Sequence, residues 1–591
     1  MSKNGRSQNR PRPGNSGSRA GGTGAHASGR NGRSMPANPG RPTARGSYTA
    51  APGQGGRKPS NSRSRGNPAT KRQREQARKQ HYAPTVWHRD HRVALVLIIM
   101  ATVITVGVAF LGPSAVTLTL GPRDSWLPPW YVPVKAAKSA DWAVSASIWV
   151  AILTAGLGLF TGSRALADGW RPHLRRLFAL GVVLSTATCL VPPLTSADVL
   201  MYAAYGRLQT IGRSPYDITP AEVFRSQYDP VLTLTERPWT DTPSVYGPIT
   251  SWSQWLANYL GGENMHDIVF WLQMFALVPF ILTCAGVFML AHGDRNRQAR
   301  AVLFGICNPL LIWAVLAGAH SEALSVMFAV FGLMMMRKSP VLAGLGIGLA
   351  GCAKLSIGIY GLAMLWAYRR EPKKAALLLL GTFVPMALCY IVWQPSAFFQ
   401  VLRNGGYVSV GSWANPIFRF FDLFATGVHA KIIVGVVSYT MLIVITWMLS
   451  RVVPWTAAPG LLPGQDPRRD PITIALRTAL VLSVAWLVTS VYTLSWYDLI
   501  VWVPLAVWAM SRLDRLFILR GTFLSLAYVP GRSIDVTPSL DLVATRVRDT
   551  VSPIVQMFVL AAIVHWWWSD RKRRQPKRVT AEAADNMPVA A

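Results

Sequence analysis

The sequence predicts an all-α polytopic membrane protein, and two observations lead to that prediction. Of the 591 residues, 51% are hydrophobic and only 15% are charged, and the mean hydropathy is +0.26. A soluble globular chain usually carries about a quarter charged residues. The apolar residues are also concentrated in blocks of roughly 15–25 residues, which are long enough to cross a bilayer as helices. A string of soluble domains is therefore excluded.

The apolar blocks predict a bundle of about 12–14 transmembrane helices, because each block is close to the length of one span. They lie near residues 93–112, 143–163, 177–193, 268–292, 300–317, 323–337, 340–353, 356–368, 374–393, 431–450, 472–491, 497–511, 517–530 and 553–569. The blocks from 340 to 368 are short, so we expect half-helices there. Residues 93–570 are thus predicted to form one multi-span domain.

Residues 1–92 form a basic tail. They contain 20 Lys or Arg against two acids, Glu75 and Asp90, so +18 of the formal net charge of +33 lies there. The tail is rich in Gly, Ser, Pro and Asn and lacks apolar periodicity, which is typical of disorder. It has few aromatic residues on which bases could stack, so we expect no nucleic-acid partner. A cytoplasmic tail attracted to anionic membrane lipids fits better, since each basic residue near the surface contributes about 1 kcal/mol.

The positions of Lys and Arg in the short loops predict the orientation of the chain in the cell membrane. Basic residues cluster in alternate loops, at residues 164–176, 295–300, 337–338 and 369–374, and again in the C-terminal tail 571–591. These loops should lie in the cytoplasm together with the N-terminal tail. Both termini are therefore expected to be cytoplasmic, and any chemistry is expected on the outer face.

The stretch 194–267 is the largest outer loop in this prediction. It has 74 residues without an apolar block, and its eight acids outnumber its four arginines, which are Arg207, Arg213, Arg225 and Arg237. Structureless loops of this length are uncommon in compact domains, so the segment should fold. Ala197–Arg207 is predicted to form a short amphipathic helix, with Met201, Tyr202 and Tyr205 at the membrane surface.

Short motifs in this loop point to a ligand site. Gly and Pro fix turns, so rigid loops are expected around the Gly212–Asp217 motif and around Tyr246. Rigid loops that carry acids, Arg and Tyr at a membrane mouth suit a polar ligand such as a sugar. Asp198 has two interpretations, because an acid before a helical run also serves as an N-cap. The candidates from this loop are Asp198, Arg207, Arg213, Tyr216, Asp217 and Tyr246.

The order of the motifs resembles the GT-C glycosyltransferases. More closely, it resembles the actinobacterial polyprenol-phosphomannose-dependent α-1,6-mannopyranosyltransferases. The likeness covers roughly residues 177–511, and no single motif decides it. The motifs are Asp198, Gly212-x-x-Pro215-Tyr216, Tyr246-Gly247-Pro248, Asn308-Pro309, Gly318-Ala319-His320-Ser321-Glu322, Lys354 and Ser495-Trp496-Tyr497-Asp498.

The resemblance implies a GT-C-like bundle that transfers mannose from polyprenyl-phosphate-mannose to a lipid-anchored α-1,6-mannan, the core of lipomannan and lipoarabinomannan. In that group, Asp198 occupies the place of the catalytic base. The chemistry agrees, because a phosphate leaves without a proton donor, whereas glycosidases need two carboxylates flanking the bond. One base for the acceptor hydroxyl and cations for the phosphate are sufficient.

Three residues are candidates for the donor-phosphate site, namely Lys354, Arg207 and Arg213. Lys354 lies between apolar stretches, where an unpaired charge is costly and therefore indicates function, although its side chain can also extend to the interface. The two arginines have an alternative as well, because they can pair with nearby acids such as Asp217 or Glu222.

The remaining candidates for substrate binding are His320, Glu322, Tyr246, Trp496 and Tyr497. His320 and Glu322 can bind sugar hydroxyls or assist the base, but an acid at a helix start is also favoured by the helix dipole. The aromatic residues can stack on a sugar or belong to the interfacial belt. The chain has no Asp-x-Asp motif and no Cys-x-x-Cys pair, so neither a metal site nor a cofactor is predicted.

Two other functions remain open. A transporter or flippase of a polyprenyl-linked envelope precursor would be expected to have several ionisable residues within its spans and two matched halves with broken helices. The sequence shows little of either. A scaffold for other envelope enzymes, which would act through the basic tails, is the third possibility.

Overall fold

The computed structural model describes residues 86–132, 140–236, 239–403, 407–461, 464–532 and 535–574. Within these ranges the chain is helical and contains no strand, which confirms the predicted all-α class. The tail predictions fall largely outside the described residues, because residues 1–85 and 575–591 are not among them. The same holds for Arg237, one of the arginines of the outer loop.

The first half of the chain contains ten α-helices and three 3₁₀ turns within the described ranges. Several of the helices have a polar N-cap residue. The side chains of Asp90 and Asn264, for example, accept hydrogen bonds from backbone N–H groups of the helices that follow them. The α-helices are α1 His91–Phe110, α2 Ala140–Ala167, α3 Leu174–Thr188, α4 Asp198–Thr210, α5 Pro220–Phe224, α6 Pro248–Gly261, α7 Met265–Leu290, α8 Arg295–Phe304, α9 Pro309–Leu311 and α10 Glu322–Met335. The 3₁₀ turns are Trp87–Arg89, Leu232–Leu234 and Trp239–Asp241.

Many helices of the second half begin with Pro, which suits the first turn because its missing N–H has no partner there in any case. The α-helices are α11 Pro340–Ala353, α12 Gly358–Ala367, α13 Pro372–Ala387, α14 Pro395–Arg403, α15 Ala414–Asp422, α16 Gly427–Val452, α17 Pro471–Thr489, α18 Leu499–Val507, α19 Arg512–Leu526, α20 Pro538–Arg546 and α21 Ser552–Arg574. Two 3₁₀ turns lie at Leu355–Ile357 and Ser495–Asp498, and π-helical turns lie at Ile312–Leu316, Leu388–Trp393 and Val547–Val551.

Eight helical segments in the described part are long and apolar enough to cross a membrane. They are His91–Phe110, Ala140–Ala167, Met265–Leu290, Arg295–Leu316, Pro372–Trp393, Gly427–Val452, Pro471–Thr489 and Pro538–Arg573. Four shorter apolar helices are Glu322–Met335, Pro340–Ala353, Leu355–Ala367 and Ser495–Val507. Twelve of the fourteen apolar blocks fall on these segments, and the predicted half-helices between 340 and 368 are confirmed.

The other two blocks lie in α3 and α19, which are short and carry several arginines. In α19 the charges are partly used for packing. Asp514 forms a bidentate ion pair with Arg300 of α8, with N–O distances of 2.8 and 3.0 Å. The sequence predicts Arg300 in a cytoplasmic loop, but its side chain is buried and joins α8 to α19.

The segment Arg295–Leu316 is the centre of the bundle, because its whole apolar window is buried by protein. In contrast, only 22% of the corresponding window is buried in Pro372–Trp393 and in α16, so these helices lie at the periphery. The peripheral helices present apolar side chains outward, as expected for surfaces in contact with lipid.

The stretch 194–267 folds, as predicted, into α4, α5, α6 and short 3₁₀ turns. The prediction for its first helix was wrong in one respect. We expected Met201, Tyr202 and Tyr205 to lie at a membrane surface, but they are 4%, 2% and 3% exposed. The helix packs against α6, where Asn258 donates to the carbonyl of Ala203 at 2.9 Å. Helix α4 is therefore buried at one end of the bundle.

Helix α11 lies between α10 and α13 and approaches both backbones closely. A Cβ at Gly344 would collide with the carbonyl oxygen of Leu378 in α13. A Cβ at Gly346 would lie 2.7 Å from the carbonyl oxygen of Phe328 in α10. Small residues allow such close contact between helices in a membrane. This packing fixes the end of α11, at which Lys354 lies.

Substitution of Gly344 by Ala should destabilise the bundle, because the added methyl group has no room against α13. Overpacking of this kind typically costs about 1–3 kcal/mol. The melting temperature of the purified protein in detergent should therefore fall. Gly107→Ala in α1 is the matched control, since nothing lies within 4 Å of its Cβ position. Equal melting temperatures for the two variants would contradict this packing.

Candidate functional site

A cavity of about 760 Å³ lies where the loop before α4, the break after α11 and the turn before α18 meet. Among the described residues, its charged lining side chains are Asp198, Lys354 and Lys431. Aromatic side chains form much of the remaining wall. They are Tyr205, Trp239, Tyr246, Tyr407, Tyr439, Trp486, Tyr492, Trp496 and Tyr497. Acid, cations and aromatic surfaces together suit a ligand that combines sugar, phosphate and apolar parts.

Asp198 is held at this cavity by the loop that precedes it. The backbone N–H groups of Leu194 and Thr195 both donate to the carbonyl of Ala317, at 2.7 and 3.1 Å. The Thr195 hydroxyl donates to the carbonyl of Trp313 at 2.7 Å. The loop is thereby attached to the end of the central helical segment, and Asp198 begins α4 beside it.

The N-cap interpretation of Asp198 does not apply. The residue is the first of α4, Ala197 occupies the cap position, and the Ser196 hydroxyl accepts the Asp198 backbone N–H at 3.3 Å. The carboxylate is only partly exposed and lines the cavity. It is therefore free to interact with a ligand rather than being committed to the helix terminus.

Lys354 lies at a break between two short helices. Its backbone is extended (φ −153°, ψ 115°), so α11 ends at Ala353 and a 3₁₀ turn follows. The carbonyl of Ala353 accepts hydrogen bonds from the Gly247 N–H at 3.2 Å and from the Thr250 hydroxyl at 3.0 Å. The Tyr246-Gly247-Pro248 loop therefore satisfies the broken helix end.

Only glycine fits at position 247. A Cβ there would collide with the carbonyl oxygen of Cys352, because the loop lies directly on the end of α11. Tyr246 and Lys354 are thus placed together in the cavity wall. Buried Tyr216 supports the same loop, since its hydroxyl donates to the carbonyl of Tyr246 at 3.0 Å.

Lys354 forms an ion pair with Glu322, the first residue of α10. Its ammonium also lies 4.0 Å from the centre of the Tyr497 ring, a cation–π contact. Glu322 is only 1% exposed, and its second carboxylate oxygen has no hydrogen-bond partner within the described residues. The lysine lines the cavity, whereas the glutamate lies behind it.

This pair affects the ionisation of Asp198. Burial, and after it the charge of Glu322, raise the pKa of the Asp198 carboxyl to about 7, against the opposing effects of Lys354 and the Ser196 hydroxyl. A carboxyl with a pKa near neutral pH can both hold and release a proton under physiological conditions. The electrostatics of the site thus suit acid–base chemistry at Asp198.

An aromatic stack forms the wall next to the acids. The His320 ring lies parallel to the Trp496 ring, with centroids 3.7 Å apart and an interplanar angle of 13°. The imidazole Nδ1 is 2.8 Å from the Tyr202 hydroxyl, and burial holds the pKa of His320 well below its usual range. His320 is therefore a neutral ring that supports Trp496 from behind.

The turn that carries Trp496 and Tyr497 is held by a buried ion pair. Asp498 pairs with Arg520 of α19, and both side chains are at most 2% exposed. The Arg520 guanidinium also donates to the Thr493 hydroxyl. The turn at Ser495–Asp498 is thus fixed in the cavity wall.

The structure brings five of the sequence-predicted residues to the cavity: Asp198, Tyr246, Lys354, Trp496 and Tyr497. His320, Glu322 and Tyr216 lie behind its wall and support residues that face it. Arg213 and Asp217 are exposed and do not line the cavity.

Arg207 is also away from the cavity. Its guanidinium is 2.8 Å from Asp229 and 2.8 Å from Glu263. Arg207 therefore pairs with acids rather than with a ligand in the cavity, although its partners are not Asp217 or Glu222. We do not retain Arg207 or Arg213 as candidates for phosphate binding.

Several lining residues are not predictable from the sequence. Trp239, Tyr407 and Tyr492 lie on loops that meet only in the folded chain, so no local pattern marks them. Lys431 did carry a signal, because it is a charged residue at the start of an apolar block.

The family model of the alpha-(1->6)-mannopyranosyltransferase N-terminal domain matches residues 87–370. The expected likeness covered residues 177–511, so the match begins earlier and leaves out the Ser495–Asp498 motif. No solved structure is significantly similar to this chain.

Three curated relatives are similar to parts of the chain. The "Probable alpha-(1->6)-mannopyranosyltransferase" of Mycolicibacterium smegmatis is 28% identical over 35% of this chain and 35% of its own length. An alpha-(1->6)-mannopyranosyltransferase of Mycobacterium tuberculosis is 31% identical over 26% and 25% of the two chains. Alpha-(1->6)-mannopyranosyltransferase A of Corynebacterium glutamicum is 26% identical over 32% and 41%. The chain therefore spans between a quarter and about two-fifths of the length of these relatives.

These matches agree with the family resemblance that the sequence motifs indicate. Residues 87–370 are thus similar to the alpha-(1->6)-mannopyranosyltransferase family.

Proposed function

We propose that this protein is a membrane mannosyltransferase that moves mannose from polyprenyl-phosphate-mannose to a hydroxyl of a lipid-anchored α-1,6-mannan. The observation that carries the proposal is the Asp198 carboxyl, which has a pKa of about 7 and faces a cavity lined by lysine and aromatic side chains. The names of the relatives support the sugar and the linkage. Anionic membrane lipids would be further partners, bound by the basic tails.

The reaction is a single displacement with Asp198 as general base. The acceptor hydroxyl gives its proton to the Asp198 carboxylate while its oxygen attacks the anomeric carbon of mannose. The bond from that carbon to the phosphate oxygen breaks, and the electron pair leaves with polyprenyl phosphate. Because the phosphate gains negative charge as it leaves, nearby cations lower the barrier. Lys354 is the cation that we assign to this phosphate.

We place the site on the outer face of the membrane. The segment Arg295–Leu316 supports this placement, because it begins in a basic loop and ends beside the backbone that holds Asp198. Its 22 residues, although interrupted between Phe304 and Pro309, are close to the number needed for one membrane span. If the basic loops are cytoplasmic, as their composition favours, the cavity lies at the opposite membrane face. Both termini would then be cytoplasmic.

Substitution of Asp198 by Asn should abolish transfer while leaving donor binding largely intact. The amide keeps the shape of the side chain but cannot accept the hydroxyl proton, and a general base typically contributes about 10²–10⁴-fold to the rate. Turnover can be measured with purified protein, polyprenyl-phosphate-mannose and a mannan acceptor. Asp217→Asn, an exposed acid outside the cavity, is the control and should retain activity. Near-normal turnover by Asp198→Asn would refute the mechanism.

The pH dependence of donor kcat/KM tests the same carboxyl. Asp198 acts as a base only when ionised, so kcat/KM should rise as the pH increases through about 7 and should level off above it. Glu322→Gln removes a charge that raises the Asp198 pKa, so the midpoint should shift to lower pH. Asp217→Asn should retain the wild-type midpoint. A midpoint that does not move in Glu322→Gln would contradict this coupling.

Substitution of Lys354 by Ala should impair use of the donor more than use of the acceptor. A charge-assisted contact to phosphate contributes about 1.5–3 kcal/mol, so donor kcat/KM should fall about tenfold or more. The single variant leaves Glu322 buried without its partner, so the double variant Lys354→Ala, Glu322→Gln is measured beside it. Lys373→Ala on the exposed side of α13 is the control. Unchanged donor constants in both cavity variants would remove Lys354 from the phosphate site.

A further inference from the structure

One wall of the cavity is formed by a single face of α16. Lys431, Gly435, Ser438, Tyr439 and Leu442 line the cavity, and their spacing is that of one helical face. From Lys431 to Leu442 the helix rises by about 16 Å. The face begins with a cation one turn inside the helix start and continues with uncharged residues. The face is therefore charged at one end and uncharged along the rest, which matches the charged head and apolar chain of an anionic lipid.

The cavity opens sideways along this helix. Ile432 and Tyr439 line the cavity, yet they are 59% and 72% exposed. They belong to a candidate membrane span of which only 22% of the apolar window is buried. Exposed apolar side chains on a span face lipid rather than water. A chain lying in the bilayer can therefore reach the cavity from the membrane.

Gly435 leaves room in this wall. A Cβ at this position would meet no atom within 4 Å, so the glycine is not required for helix packing. Helix α17 lies alongside, where Ser438 donates to the carbonyl of Thr489 at 2.7 Å, and Trp486 of α17 also lines the cavity. The two helices therefore border a groove, and Gly435 contributes to its width.

Lys431 differs from Lys354 in its electrostatic surroundings. Its side chain is exposed, and none of the described residues forms an ion pair with it. Lys354, in contrast, is neutralised by Glu322. The Lys431 charge is therefore available for an anion that arrives with the ligand.

We propose that this face of α16 binds the carrier lipid of the donor, with Lys431 at the phosphate and the isoprenoid chain passing Gly435 towards Leu442. The inference rests on the proposed function. A phosphodiester carries one negative charge and the departing polyprenyl phosphate carries more, so a second cation stabilises the leaving group more than the bound donor. Lys354 and Lys431 thus share the charge that develops, and Gly435 keeps the groove open for the chain.

The test uses two variants and two donors with the full-length purified protein. Gly435→Leu adds a side chain at a position where a Cβ meets no atom within 4 Å. Because this side chain narrows the groove, donor kcat/KM for a long-chain polyprenyl phosphomannose should fall about tenfold or more, whereas a short-chain isoprenyl phosphomannose should be used normally. Lys431→Gln should impair both donors, because both carry the phosphate. Gly107→Leu and Lys373→Ala are matched controls outside the cavity, and both should behave as wild type.

Binding of long-chain polyprenyl phosphate, measured by photo-crosslinking without acceptor, separates this inference from the proposed function. In one outcome, the wild-type protein crosslinks the lipid but transfers no mannose, and Gly435→Leu and Lys431→Gln lose the crosslink. That outcome supports the lipid site and refutes the proposed reaction. If wild type transfers mannose and both variants equal it in binding and turnover, the lipid site is refuted and the reaction stands. A rise in acceptor KM alone would also refute it, because the groove would then bind the acceptor anchor. Absence of both crosslinking and transfer in wild type would refute both proposals.

Discussion

The ion pair between Lys354 and Glu322 is the constraint on which the site depends. A lone charge at this depth costs several kcal/mol, so each residue requires the other. The lysine reaches the glutamate from a break between α11 and the following 3₁₀ turn, and that break leaves the carbonyl of Ala353 without a helical partner. The loop at Gly247 supplies the missing hydrogen bond. The break, the loop and the start of α10 are consequently assembled as one unit.

The same pair accounts for the behaviour of Asp198. Two carboxylates and one ammonium share this end of the bundle, and Glu322 is the buried partner of the ammonium. The single positive charge of Lys354 compensates only part of the repulsion and burial that act on Asp198, so the pKa of Asp198 rises to about 7. Asp198 is also the acid that faces the cavity. Under the proposed function, the ion pair therefore both orients a phosphate-binding cation and adjusts the base.

Local sequence patterns predicted the helices and the break well, because both follow from short-range rules. Apolar blocks mark spans, and a lysine between two such blocks marks a polar position within the bundle. The partners of loop charges were not predictable in this way. Arg207 has acids nearby in sequence, but it pairs with Asp229 and Glu263, which only the folding of the loop brings together. Tyr407 and Trp239 reach the cavity for the same reason, since their loops meet only in three dimensions.

The aromatic lining bears on a problem that any lone base creates. A carboxylate that activates an acceptor hydroxyl can equally activate water, and water would hydrolyse an activated sugar. Here, the wall beside the acids is built from rings that are fixed from behind, such as Trp496 on His320. Rigid apolar surfaces offer water few hydrogen-bond partners, while a sugar can lie against them with its C–H faces. Under the proposed function, the carrier lipid fills the lateral opening beside α16, so the acceptor must reach Asp198 by another route. Under the proposed function, selection of the acceptor over water thus depends on the shape and chemistry of the walls rather than on the base.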